Sequence, residues 1–294
     1  MNREQIISAL KKEIEGSNDI NALQTSLEKI ISTSAEILQS IYDTKPKLEE
    51  GEVYIETLIM KILFTSKSLI DISKGTELAL PKFKVNLEII DNPSMYILNR
   101  SIIECFLTLE YLYFNNLTRE EQLFRYNLWR ISGFVSRQNF KENLQKSFKE
   151  KLLREKKEIE KLKIEIKKCK YYSTLEKQDL WKLDTFGLPR IISWSKLLEK
   201  SILKSELFQS IYKLYSNYAH SEFISIIQIN EGNLNKKNEF NLSNISSNLF
   251  LTRIINCVTI VLLKEKFECT SLAYENIDEE LKYSIEFWHK FGVE

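Results

Sequence analysis

Arg100 and Glu104 stand four residues apart in a stretch, 93–114, that is otherwise almost wholly apolar. On a helix that spacing puts both side chains on one face, about a turn from each other. Roughly a hundred residues later, positions 211–220 read Ile-Tyr-Lys-Leu-Tyr-Ser-Asn-Tyr-Ala-His. Tyr212, Ser216 and His220 follow at i, i+4 and i+8, a polar line on a helix that also carries Leu207, Phe208, Ile211 and Leu214. Asn217 flanks the line. Only histidine changes charge near neutrality without perturbation, and the chain has two. His220 is therefore the candidate general acid or base, Arg100 the candidate anion stabiliser and Glu104 the group that orients Arg100. Tyr212, Ser216 and Asn217 are candidates for holding a substrate. A purely architectural reading uses the same residues. Arg100 and Glu104 become an internal ion pair between helices, and His220 becomes a histidine favoured by a helix C-terminus. His289, beside Trp288, reads as a surface or packing residue.

The elements that must position these groups are helical. Seven glycines and four prolines in 294 residues leave little turn-forming capacity, which suits long helices and argues against sandwiches, barrels and doubly wound sheets. No glycine-rich phosphate loop and no G-x-S-x-G elbow can be assembled. The fold class expected is an all-α multi-helix bundle with a long, basic, coiled-coil-like arm and a short loop or hairpin insertion. Helices are expected at 2–15 and 19–42, the second capped by Asn18-Asp19, and at about 52–73. A loop with a short extended piece at 83–87 precedes the apolar helix 93–114, expected to be the central one. A capping box, Thr118-Arg-Glu-Glu121, opens a helix that runs towards 172 with a break near Gly133 or Asn139. Further helices are expected at 190–200, with Pro189 near its first turn, and at 205–223, 246–268 and 277–291. Residues 224–230 alternate weakly, as a short strand would, and the Asn- and Ser-rich stretch 230–248 reads as loop. One helical domain over 1–294 is expected: N-terminal helices 2–45, a core over about 50–265, the arm at about 140–172 and a terminal helix at about 272–292.

The arm is distinctive. Residues 141–170 hold 12 Lys and Arg against 6 Glu, although the whole chain carries a net charge of only +1. Phe148, Leu152, Ile159, Leu162, Ile166 and Cys169 keep a heptad spacing, with Glu155 at one seam position. A hairpin arm or dimer strut accounts for the seam, and an RNA-contacting arm accounts for the cations. A homodimer, or a protein partner encoded nearby, follows from the first.

Four widely spaced cysteines without a C-x-x-C pair suggest a reducing compartment. The start of the chain lacks an apolar core of signal-peptide length. The longest apolar run, 254–263, is half of what a bilayer requires. A cytoplasmic protein with no membrane contact is expected, with no metal or other cofactor.

An R-x-x-x-E in an apolar helix followed by a Y-x-x-x-S-x-x-x-H helix resembles a family of bacterial all-helical proteins known only as a domain of unknown function. The matching residues are Arg100, Glu104, Tyr212, Ser216 and His220, and the likeness extends over about 50–265. The Ser-Asn-Tyr-Ala-His220 ending is distantly similar to the HEPN superfamily. That likeness implies a helical, usually dimeric protein and a metal-independent endoribonuclease of phage-defence or toxin systems. HEPN nucleases place an Arg ahead of the His as R-x(4–6)-H, whereas positions 213–215 here are Lys213, Leu214 and Tyr215. Arg100 would have to supply the cation from the other helix. The competing reading is a non-catalytic helical binding or scaffold module built around an Arg-Glu-His polar network.

Overall fold

The computed structural model describes residues 8, 11, 13, 15–16, 19–140, 146–183, 185–231 and 239–293. Among the described residues the fold is all-α apart from one hairpin and an isolated bridge between Leu203 and Val293. In chain order the elements are α1 (Ile20–Thr44), α2 (Val53–Ser73), β1 (Thr76–Leu80), β2 (Val85–Ile89), α3 (Asn92–Leu109), α4 (Arg119–Gln138), α5 (Lys146–Lys168), α6 (Trp194–Glu199), α7 (Ser205–Ala219), α8 (Phe223–Glu231), α9 (Glu239–Lys266), α10 (Glu268–Glu275) and α11 (Glu279–Gly292). The expected helix over 2–15 lies mostly outside the described residues. Two compact units emerge, one from 1–48, 53–109 and 198–294, the other from 49–52 and 110–197.

In the first unit the apolar stripe of α1 is buried through Leu23, Leu27, Ile30, Ile37, Leu38 and Ile41, as its spacing requires. Asp19 caps that helix by accepting from the backbone N–H groups of Asn21 and Ala22. The innermost helix is α9 rather than α3. It packs against α1, α2, α3, α10 and α11, and every residue from 251 to 261 is buried. Residues 241–266 are long and apolar enough to cross a membrane, yet most of that apolar surface is covered by the unit's own helices. Arg253, 2 % exposed, lies over the Trp288 ring and is paired with Glu13 and with the Ser284 hydroxyl.

Two further expectations of the sequence need correction in this unit, and a third is met. Of the stretch 230–248 expected as loop, 230–231 end α8, 232–238 lie outside the described residues, and 239–248 are the first turns of α9. Asn241 and Asn248 are buried there because they bond across to α3: Asn92 Nδ2 donates to Asn241 Oδ1 at 2.7 Å, and Asn99 Nδ2 donates to Asn248 Oδ1 at 2.6 Å. Tertiary hydrogen bonds thus override the low helix propensity of asparagine. Residues 224–230 lie in helix α8, not a strand; among the described residues no strand pairs with them, and Ser225 begins the turn by donating to the Glu222 carbonyl through both Oγ and its N–H. The extended piece at 83–87 is one arm of an antiparallel hairpin with Leu78 opposite Leu87. It turns through Pro81–Phe83, and Lys84 adopts φ 56°.

In the second unit α4 starts at the expected cap, with Thr118 Oγ accepting from Glu121 N–H at 3.2 Å, and the helix stops at Asn139. All six seam positions of α5, and Cys169 just after it, turn away from solvent. Ile159, Leu162 and Ile166 pack against Phe124, Leu128 and Ile131 of α4. Glu155 accepts from Arg137 at 2.5 Å and Glu158 from Arg130 at 3.0 Å. The arm is a hairpin whose seam is filled within the chain. Helix α6 begins at Trp194, four residues later than its expected start, so Pro189 precedes it rather than opening its first turn.

Candidate functional site

The site is built in the first unit where α7 packs on α3. Helix α3 carries Arg100 and Glu104 on the side that meets α7, and the guanidinium Nε donates to Glu104 Oε1 at 2.9 Å. Helix α7 buries Phe208, Tyr212 and Tyr215. Tyr215 stacks on Tyr96 with ring centroids 5.1 Å apart and donates to Asn248 Oδ1 at 3.0 Å. Tyr96 also meets Tyr218 edge-on, and Tyr218 donates to Gln228 of α8 at 2.9 Å. These contacts fix the rotation of α7, and with it the direction of its polar line.

How α7 ends decides where His220 stands. Ser221 takes the left-handed conformation, φ 53°. Glu222 N–H then donates to the Asn217 carbonyl at 2.9 Å and Ser221 N–H to the Tyr218 carbonyl at 3.3 Å, the paired bonds of a Schellman turn. His220 is thereby the C-cap of the helix, exposed, with its ring beside α3. Its Nε2 lies 3.1 Å from Arg100 Nη1. Arginine can only donate, so this contact requires Nε2 to be the acceptor of a neutral imidazole whose proton sits on Nδ1.

Tyr212 closes the network from below. Its hydroxyl donates to Glu104 Oε1 at 2.8 Å, and its ring lies 5.6 Å from Arg100 Cζ. Burial and the hydrogen bond to Glu104 push the Tyr212 phenol up to about 12, so it remains a neutral donor at any physiological pH. Burial works against charge on Arg100, but Glu104 more than offsets it and the guanidinium is held more firmly protonated than usual. The result is a chain Tyr212–Glu104–Arg100–His220 running from the interior to solvent. It can present a fixed cation and an unprotonated imidazole nitrogen to an anion.

Four of the six residues singled out by spacing meet in this chain. Ser216 and Asn217 do not join it. The Ser216 hydroxyl donates to the Tyr212 carbonyl of its own helix at 2.8 Å, and Asn217 contributes its backbone carbonyl to the turn. Lys213 is exposed and has no hydrogen bond or ion pair among the described residues. Ser221, on which the placement of His220 depends, was not among the candidates; a non-glycine residue in the left-handed region leaves no mark in composition. Asn99 is a buried polar residue in an apolar helix, and nothing local in the sequence points to its partner Asn248. Among the described residues, no three His, Cys, Asp or Glu side chains converge as metal ligands would.

The model of a family of unknown function, DUF5677, matches residues 83–238, just over half of the chain and inclusive of all four network residues. Neither the curated proteins nor the solved structures yield a match to this chain.

Proposed function

Because the chain belongs to DUF5677, a family without a described activity, its function has to be read from the site, and we propose a HEPN-like, metal-independent endoribonuclease acting as an effector of phage defence or a toxin system. The observation that carries the proposal is the exposed pair of His220 Nε2 and Arg100 Nη1 at 3.1 Å, with the arginine anchored from behind by Glu104 and Tyr212. An acceptor nitrogen beside a fixed cation is the minimal equipment for transesterification of RNA. His220 Nε2 takes the proton of a ribose 2′-hydroxyl, and the 2′-oxygen attacks the adjacent phosphorus. Arg100 stabilises the charge that builds on the non-bridging oxygens. The bond to the 5′-oxygen breaks, that oxygen leaves with a proton from water, and the products are a 2′,3′-cyclic phosphate and a 5′-hydroxyl. Glu104 is the positioning residue for Arg100, and Tyr212 positions Glu104. The likeness of the 216–220 segment to HEPN proteins supports the biological setting, a cytoplasmic one.

A second reading, a non-catalytic binding or scaffold module, is favoured by the degree to which the network satisfies itself. Tyr212, Glu104 and Arg100 are all bonded internally, and no arginine precedes His220 on its own helix. RNA cleavage in EDTA separates the two. The ribonuclease predicts cyclic-phosphate ends, lost by 10²-fold or more in His220→Ala and Arg100→Ala while circular dichroism is unchanged. A wild type that cuts nothing, with either variant lowering the melting temperature by several degrees, establishes the scaffold.

A further inference from the structure

Folding of the second unit sorts the charges of α5. Its apolar seam and the inward acids Glu155 and Glu158 are consumed by α4. On the outer side, Lys161 pairs with Glu165 and Lys163 with Glu160. What remains exposed is Lys146, Lys149, Lys151, Arg154, Lys156, Lys157, Lys167 and Lys168, none of them ion-paired among the described residues, against one such acid, Glu150. These cations run the length of a 23-residue helix, about 34 Å at 1.5 Å per residue. Lys149, Lys156 and Lys167 lie along one side of the helix, seven and eleven residues apart.

We infer that this outer face of α5 binds the phosphate backbone of RNA. A row of unpaired lysines over that length matches a polyanion and carries no means of reading sequence, so the binding is indifferent to base identity. A lipid surface fits less well. The apolar face that an interfacial helix would insert is already buried against α4, and only Leu153 and Ile164 are left among the cations, 64 % and 55 % exposed. The choice of RNA over another polyanion rests on the ribonuclease reading above.

The probe is a fluorescein-labelled 30-nucleotide 2′-O-methyl RNA, which transesterification cannot cut, titrated by fluorescence anisotropy from 50 to 300 mM KCl. Binding that falls with log[KCl] at a slope of about −3 is expected from four or five phosphate contacts at −0.7 each. The triple variant Lys149→Gln/Lys156→Gln/Lys167→Gln flattens the slope by about 2 and weakens binding at least tenfold at 100 mM KCl. Lys82→Gln/Lys84→Gln/Lys200→Gln, which removes the same charge from exposed sites in the other unit, changes affinity less than twofold. A wild-type slope shallower than −1, a triple variant that binds as the wild type does, or tighter binding to phosphatidylserine vesicles than to RNA would overturn the inference. Cleavage of the unmodified oligonucleotide, followed in parallel, keeps the two proposals apart. Cleavage without arm-dependent binding removes only the arm's role, and arm-dependent binding without cleavage removes only the ribonuclease.

Discussion

Glu104→Gln is the substitution that asks most of the network. It keeps the shape of the side chain and the oxygen that Arg100 and Tyr212 both use, and removes only the charge. Two unit charges about 4 Å apart interact with roughly 4 kcal/mol at an effective dielectric constant near 20 and roughly 1 kcal/mol in water. The Arg100 and Glu104 side chains are 16 % and 26 % exposed, so the pair lies between those limits, and its desolvation takes back part of the attraction. A coupling of about 1–2 kcal/mol remains, above the range of solvent-exposed pairs. At roughly 2–4 °C per kcal/mol for a large domain, Glu104→Gln should lower the melting temperature by about 2–8 °C. Arg100→Met/Glu104→Gln should cost less than the sum of the two single changes by that same 1–2 kcal/mol. The assay is a double-mutant cycle by urea denaturation, with RNA cleavage measured on the same four proteins. Cleavage should fall in Glu104→Gln and not fall further when Glu104→Gln is added to Arg100→Met, because Glu104 acts through the arginine. A coupling below about 0.5 kcal/mol, the level of independent sites, would refute the claim that Glu104 holds Arg100.

Two further outcomes follow from other parts of the molecule. In Gly292→Ala the new Cβ would fall inside the van der Waals contact of Ile254 Cγ2, so the end of α11 must shift and stability should drop by about 1–3 kcal/mol. Gly133→Ala, in α4 with nothing within 4 Å of the new atom, should instead gain about 0.5–1 kcal/mol, and thermal melts of the pair give opposite signs or the packing argument fails. Burial holds the His289 imidazole below its ordinary 6.5, although Glu286 and Glu265 oppose the shift, while Lys264 and Lys290 add to it. The unfolded chain therefore binds this proton first, and stability present above pH 6.5 is lost as the pH falls below it. His289→Gln should flatten that decline; equal slopes in variant and wild type between pH 6.5 and 5 would contradict it.

Much of this was legible from residue types. Heptad spacing in 148–169 identified the face of α5 that is covered, because an apolar seam with one acid has to be matched by an apolar partner and a cation, here Arg137. Four-residue spacing placed Arg100 beside Glu104, and the scarcity of histidine drew attention to His220. The Tyr212–Glu104 bond and the Arg100–His220 contact lie 108 and 120 residues apart in the chain, and no local pattern encodes which helices meet. The misreadings share one cause. Asn241 and Asn248 look like loop residues because asparagine prefers caps and turns in isolation, and only their partners on α3 make a helix there favourable. In 224–230 a short apolar alternation fits strand or helix equally, and the choice was settled by the absence of a strand to pair with.

The asparagine rungs between α3 and α9 also bear on how the chain is made. Asn92 and Asn99 are seven residues apart, as are their partners Asn241 and Asn248, so the two helices match only in one register; a slip by one turn would leave amides facing hydrocarbon. Helix α9 is a segment long and apolar enough to be mistaken for a membrane span. Of the five helices that pack on it, α1, α2 and α3 precede it in the chain and are already available when it appears, whereas α10 and α11 follow. Its asparagines and Arg253 make it a poor substrate for insertion into a bilayer, since an arginine near the centre of a span costs about 2.5–3.5 kcal/mol. The same polar groups that fix its register in the folded protein are thus the ones that make a bilayer the costlier environment for it.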